Sequence, residues 1–147
     1  MNKNNSLDVI DTTVQKTREW VAAVSDATHL DTQDSYKALR AVLQTLRDRL
    51  PLELAAHFSA QLPMLLRGLF YEGWHPAGVH EKLHKEAFLK AVGDKIVSDH
   101  FIDPHRVVPG VFSVLPRFIS PGEIDKVRGS LPHDLRQIWP SPVQSAL

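Results

Sequence analysis

Apolar residues recur along this chain at spacings of three and four, which is the period of one face of an α-helix. The clearest stripe follows the capping residues Asp31 and Thr32 and consists of Tyr36, Leu39, Leu43, Leu46 and Leu50. We expect one helix along this stripe. No segment alternates apolar and polar residues convincingly, as a half-buried β-strand does. The pattern therefore predicts an all-α protein.

One short motif occurs twice. Residues 62–67, LPMLLR, and residues 131–136, LPHDLR, share the form LPxxLR at an offset of 69 residues. The same offset pairs apolar residues with apolar residues: Val42 with Val111, Leu46 with Leu115, Leu50 with Ile119, Leu69 with Ile138, and Phe70 with Trp139. Accidental alignment of amphipathic helices is the alternative, but the shared motif favours duplication. We predict a helical bundle of two quasi-equivalent repeats, each with three to four helices.

These repeats give the expected domain organisation. Repeat one covers about 12–74 and repeat two about 79–140, together forming a single domain over residues 12–140. The first helix is expected to begin after Asp11-Thr12-Thr13, which leaves residues 1–11 as a disordered tail and 141–147 as a second tail. In repeat two, we expect helices at roughly 81–97 and 103–115.

Proline and serine predict several helix starts. Ser120-Pro121-Gly122-Glu123 has the form of a capping box, in which the serine and glutamate side chains bond each other's backbone N–H groups. Pro63 and Pro132 are each expected at the first position of a short helix.

The amino-acid composition argues against several classes of function. Seventeen basic and seventeen acidic residues give zero net charge, so the chain lacks the positive field of a general nucleic-acid binder. The basic residues Lys37, Arg40, Arg47 and Arg49 lie among acidic neighbours and are interpreted as a solvated helix face. With no cysteine and no apolar run of membrane-spanning length, we expect a soluble, cytoplasmic protein.

A candidate metal motif occurs at residues 80–84, HEKLH, which fits the H-E-x-x-H pattern of zinc proteases. The two histidines are one helical turn apart, as zinc ligands require. However, His80 falls away from the apolar face formed by Phe88, Leu89, Val92 and Ile96. We therefore interpret these histidines as solvated or capping residues and expect no cofactor. The alternative is a divalent-metal protein or zinc hydrolase with His80, His84 and His75 as ligands.

Other catalytic motifs are missing from the sequence. It contains no G-x-S-x-G elbow, no phosphate-binding P-loop and no dinucleotide-binding turn. Arg67 and Arg136 follow the LP dipeptides and are candidates for anion binding. The competing interpretation is that they satisfy helix-end carbonyls or pair with an acidic residue of the second helix.

The segments LRDRLP, AQLP and YEGWHP, followed by KLHKEAFL, resemble the bacterial domain-of-unknown-function family DUF2267. This resemblance extends from about Val14 to Trp139. It implies an all-helical fold with two related halves, but no catalytic residues, because the family has no established activity. Its members keep a run like Lys85–Phe88 without both histidines of the HEKLH segment, which weakens the zinc hypothesis.

The expected function is a non-enzymatic binding or protein-interaction module for an unknown protein or small ligand. The connector between the repeats, residues 70–76, concentrates aromatic residues where loops are usually polar. Tyr71, Trp74 and His75 are therefore the candidate binding residues, since aromatic side chains with polar tips are enriched at interaction hot spots. Trp74 has a competing interpretation as a packing wedge between the halves.

Overall fold

The computed structural model describes residues 7–76 and 83–140, and within these ranges all regular secondary structure is α-helical. The helices are α1 (Asp8–Thr28), α2 (Thr32–Arg49), α3 (Leu52–Ser59), α4 (Met64–Tyr71), α5 (Lys85–Lys95), α6 (Pro104–Phe118), α7 (Pro121–Gly129) and α8 (His133–Gln137). The predicted all-α class is confirmed. None of these helices is long and apolar enough to cross a lipid bilayer.

Capping side chains start three of the helices where the sequence predicts. The Asp31 carboxylate accepts a hydrogen bond from the Asp34 N–H at 2.8 Å, and Asp103 caps α6 in the same way. The Ser120 side chain caps α7, as predicted. The predicted return bond, from the Ser120 N–H to the Glu123 side chain, is wrong. The Ser120 N–H donates to the Gln61 side chain at 2.8 Å, while Glu123 is buried.

Several predicted boundaries shift. α1 begins at Asp8, so residues 8–11 are helical and not a tail; residues 1–6 and 141–147 lie outside the described ranges. α5 begins at Lys85, later than the predicted residue 81, and α6 continues to Phe118. Tyr36 is exposed, in contrast to the leucines of its stripe.

α2 has a central position and contacts α1, α4, α5 and α6. α1 packs on α6 as well as on α2, α5 packs on both α2 and α6, and α3 contacts α7. α1 and α6 lie close together at Gly110, where a Cβ would be only 2.5 Å from Thr28 Cγ2. Glycine is therefore needed at this crossing.

Both LP dipeptides precede a short helix. Pro63 and Pro132 occupy the position before the first helical residue, with φ and ψ of −56° and 150° for Pro63 and −63° and 157° for Pro132. They are thus one residue earlier than the predicted first helical position. This common context agrees with what duplication requires of the two dipeptides.

Candidate functional site

The aromatic connector after α4 is partly built into the core. The Tyr71 hydroxyl lies 2.5 Å from Ser59 Oγ, and its ring packs against that of Trp74 with centroids 5.2 Å apart. Trp74 is half-buried, whereas His75 is exposed. Gly73 turns the chain between Tyr71 and Trp74 with a φ of 76°, a conformation that favours glycine. The structure therefore brings Tyr71 and Trp74 together and leaves His75 at the surface.

Side chains of α2 hold this connector from beneath. Arg47 donates from Nη1 to the carbonyls of Phe70 at 2.9 Å and Glu72 at 2.8 Å, and Gln44 donates to the Leu69 carbonyl at 2.9 Å. The last carbonyls of α4 have no partner within the helix, because no further helical turn follows. These bonds satisfy them. Arg47 and Arg49 are 5% and 6% exposed, so the predicted solvated face is wrong for these two residues.

Two grooves flank α4. The first has a volume of about 670 Å³ and lies between α1, the α3–α4 junction and the end of α6; Val9, Trp20, Leu62, Met64 and Phe118 are among its lining residues. The second, of about 550 Å³, is lined by residues that include Tyr36, Leu65, Gly68 and Tyr71. Met64 and Leu65 lie between the two grooves, and their exposed fractions are 53% and 51%. This side of α4 is therefore an apolar ridge with a groove on each flank.

The two LPxxLR arginines have different surroundings. Arg67 donates to the carbonyls of Ser59 at 3.2 Å, Ala60 at 3.4 Å and Leu62 at 3.1 Å. Its guanidinium thus satisfies carbonyls at the end of α3, as the competing interpretation expected. Arg136 is exposed and lines a separate cleft on α8.

The histidine motif is only half described, because His80 lies outside the described residues. His84 precedes α5, with Nδ1 3.5 Å from Asp134 Oδ1, and the Lys85 N–H donates to the other oxygen of that carboxylate at 3.1 Å. The Lys85 amide, and to a smaller degree the nearby His84, hold the pKa of Asp134 below its ordinary value. Over residues 7–76 and 83–140, no cluster of three potential ligands from His, Asp and Glu is suited to a metal ion.

A second histidine centre was not anticipated from the sequence. His100, between α5 and α6, places Nε2 2.7 Å from Asp34 Oδ2 and Nδ1 2.8 Å from Asp99 Oδ1. The hydrogen bonds that the ring donates to these carboxylates, first that to Asp99 and then that to Asp34, raise the pKa of His100. Ser98 Oγ lies 3.1 Å from Nδ1, and this hydroxyl also accepts from the His100 backbone N–H.

This arrangement differs from a serine hydrolase triad. A catalytic histidine needs one ring nitrogen free to accept the serine proton. Here a carboxylate faces each nitrogen, which favours the doubly protonated ring that donates to both. The centre therefore resembles an ion bridge between α2 and the α5–α6 loop.

Comparison with known families gives a match over most of the chain. Residues 17–138 match the family described as "Uncharacterized conserved protein (DUF2267)". The chain belongs to the DUF2267 family. No curated protein matches it significantly.

Because the DUF2267 family is described only as uncharacterised, the candidate residues of this chain are argued from the geometry. The signals available from sequence were the aromatic connector and the LPxxLR arginines. The roles of Arg47, Gln44 and His100 were not predicted, because the contacts that define them, with Phe70, Leu69 and Asp34, span 23 to 66 residues of the chain. No local pattern marks such pairs.

Proposed function

We propose that this DUF2267 domain is a non-enzymatic protein-interaction module that binds through the exposed side of α4. The observation that carries the proposal is the pair of exposed side chains Met64 and Leu65, on a helix of eight residues, with a groove on each flank. Adjacent exposed apolar residues beside apolar grooves are characteristic of interaction surfaces. The flexible thioether chain of Met64 also adapts to different partners.

The occupant we propose is the apolar face of a helix from another protein. A helix presents side chains at spacings of three, four and seven residues, which suits a ridge with a depression on either side. Tyr71 lines the second groove, and its hydroxyl contact with Ser59 holds the ring in place before binding. A fixed aromatic side chain loses little entropy when a partner covers it. The candidate residue Tyr71 thus belongs to the proposed surface.

We also infer that the two halves of the domain are internal repeats. Support comes from the matching context of Pro63 and Pro132 and from the order of the helices, in which α1 to α4 correspond to α5 to α8. The packing is reciprocal as well, since α1 contacts α6 and α5 contacts α2. Duplication explains why two similar helix breaks occur in one small domain.

Photo-crosslinking from position 64 tests the interaction surface. A benzoylphenylalanine at this position is expected to capture a protein segment whose sequence has apolar residues at helical spacing. A synthetic peptide of that segment would then be titrated against the wild-type domain by calorimetry. Leu65→Lys is expected to weaken the binding at least tenfold, because it places a charge on the apolar ridge.

The matched control is Leu52→Lys on α3, where the leucine has a similar exposure of 58% and lies outside both grooves. This variant should bind the peptide as the wild type does. Equal affinity of the Leu65→Lys and Leu52→Lys variants would refute the surface. Capture of a second copy of the chain, or displacement by a small apolar ligand alone, would refute the proposed occupant.

A further inference from the structure

A cleft between α7 and α8 contains basic side chains that have no acidic partner among the described residues. It has a volume of about 370 Å³ and is lined by Arg128, His133, Arg136, Gln137 and Trp139. Three of these five residues are basic, and no acidic residue of the described ranges lines the cleft. Asp134, although on the same helix, directs its carboxylate to the Lys85 N–H and His84. The described residues therefore give the cleft a positive potential and supply no counterion within it.

The arginines in this cleft have unused donors. Arg128 Nε is buried and has no hydrogen-bond partner within the described structure. Arg136 likewise makes no ion pair or side-chain hydrogen bond to the described residues. By contrast, Arg47 pairs with Asp48 at 2.8 Å and Lys90 pairs with Asp94 at 2.9 Å. A buried donor without a partner is uncommon in native proteins and calls for an explanation such as a missing ligand.

The cleft also has a rigid base. Trp139 is 3% exposed and stacks on Phe112, with ring centroids 4.3 Å apart and planes inclined by 20°. The Asp134 carboxylate ties α8 to the first turn of α5 through the Lys85 N–H at 3.1 Å. The basic side chains therefore project from elements that are fixed in place, which lowers the entropic cost of binding a ligand.

We propose that this cleft binds a dianionic phosphate group, either as the free ion or as a monoester. Guanidinium groups present parallel N–H donors that match two phosphate oxygens, and such charge-assisted bonds are stronger than neutral ones. Arg128 and Arg136 supply these donors, and the Gln137 amide adds a neutral one. This site is separate from the α4 surface and does not depend on it.

An NMR titration of the full chain with sodium phosphate and with O-phosphoserine tests the site at constant ionic strength. The imidazole resonances of His133 are expected to shift with single-site saturation. Arg136→Gln and Arg128→Gln should each weaken binding at least tenfold, whereas Arg117→Gln, at an exposed position of α6, should leave it unchanged. Saturation by phosphoserine indicates an ester-borne group and saturation by phosphate alone a free ion; both support the site.

Two results would overturn the proposal. One is that neither ligand produces a saturable shift at His133 in the wild-type protein. The other is that Arg136→Gln binds with wild-type affinity. Because Arg136 is exposed, this variant is expected to fold even if Arg128→Gln does not, and a melting curve of each variant verifies this.

Discussion

The prolines of the two LPxxLR segments have nearly the same backbone conformation, but the surface chemistry of the segments differs. In the first segment, Arg67 donates to three carbonyls at the end of α3 and its guanidinium is used within the fold. In the second segment, Arg136 faces a cleft in which it makes no bond to the described residues. One arginine thus stabilises a helix junction, while the other is available to a ligand.

Residues near the two arginines also differ in polarity between the two halves. At the 69-residue offset, Met64 and Gly68 of α4 correspond to His133 and Gln137 of α8, and Ser59 corresponds to Arg128. The first segment therefore presents an apolar surface and the second a basic one. Helix order and helix breaks are set by prolines and buried leucines, but binding chemistry is set by exposed positions that the fold leaves free to vary.

The largest expected effect on stability concerns the tryptophans that follow the two LPxxLR segments, Trp74 and Trp139. Trp139→Ala should lower the free energy of unfolding by about 3–5 kcal/mol, because Trp139 is buried against Phe112. Trp74→Ala should cost only about 2 kcal/mol, since Trp74 is half-buried beside Tyr71. Urea denaturation measures both. A loss of more than about 3 kcal/mol for Trp74→Ala would mark it as a core wedge and exclude it from a binding surface.

The second prediction compares the arginines themselves. Arg67→Gln should destabilise the fold by about 1 kcal/mol, because glutamine cannot reach all three carbonyls that Arg67 satisfies. Arg136→Gln should change stability by less than about 0.5 kcal/mol in phosphate-free buffer. Thermal melts of the two variants provide the measurement. Equal destabilisation would contradict the difference between the segments.

A third prediction concerns pH. His100 has a raised pKa in the folded protein, owing first to Asp99 and then to Asp34. Its stabilising contribution is therefore complete below its unfolded pKa of about 6.5 and is lost as pH rises through the folded pKa. The charged groups that influence the pKa of His100 are Asp99 of the loop and Asp34 of α2. Lys37 lies near Asp99 and, to a smaller degree than His100, lowers the pKa of that carboxyl group.

Melting temperatures across this window test the ion bridge. The wild-type protein should lose a small part of its stability between mildly acidic and mildly basic pH, and His100→Asn should remove that part. His57→Asn, at an exposed site on α3, should keep the wild-type profile. If His100→Asn and the wild type have superimposable profiles, the bridge does not contribute.

The smallest expected effect is that of the histidine motif. Replacing both His80 and His84 with alanine should change stability by only about ±0.5 kcal/mol, because His84 is exposed and the sequence pattern places His80 off the apolar face. Elemental analysis of untagged protein should find no stoichiometric zinc. Zinc present at one equivalent in the wild type and lost from this double variant would instead support the metal-protein alternative.

The sequence was most informative where physical causes are local. α2 matches its prediction closely because Asp31 caps its first turn and its leucines are buried. α1 starts earlier than predicted because Val9 and Ile10 are exposed, so periodic burial gives no signal there. Contacts between residues that are distant in the sequence could not be predicted. Arg128 and Arg136 lie on different helices, and their placement in one cleft depends on how α7 meets α8.

The crossing of α1 over α6 has a consequence for how the chain can be divided. Each half buries its first helix against the second helix of the other half, and Gly110 lets the α1–α6 pair approach closely. Fragments separated at the connector would each expose an apolar helix face and aggregate when expressed alone. Coexpressed, they have complementary surfaces and should reassemble, which makes the connector a suitable break point for a split-protein reporter.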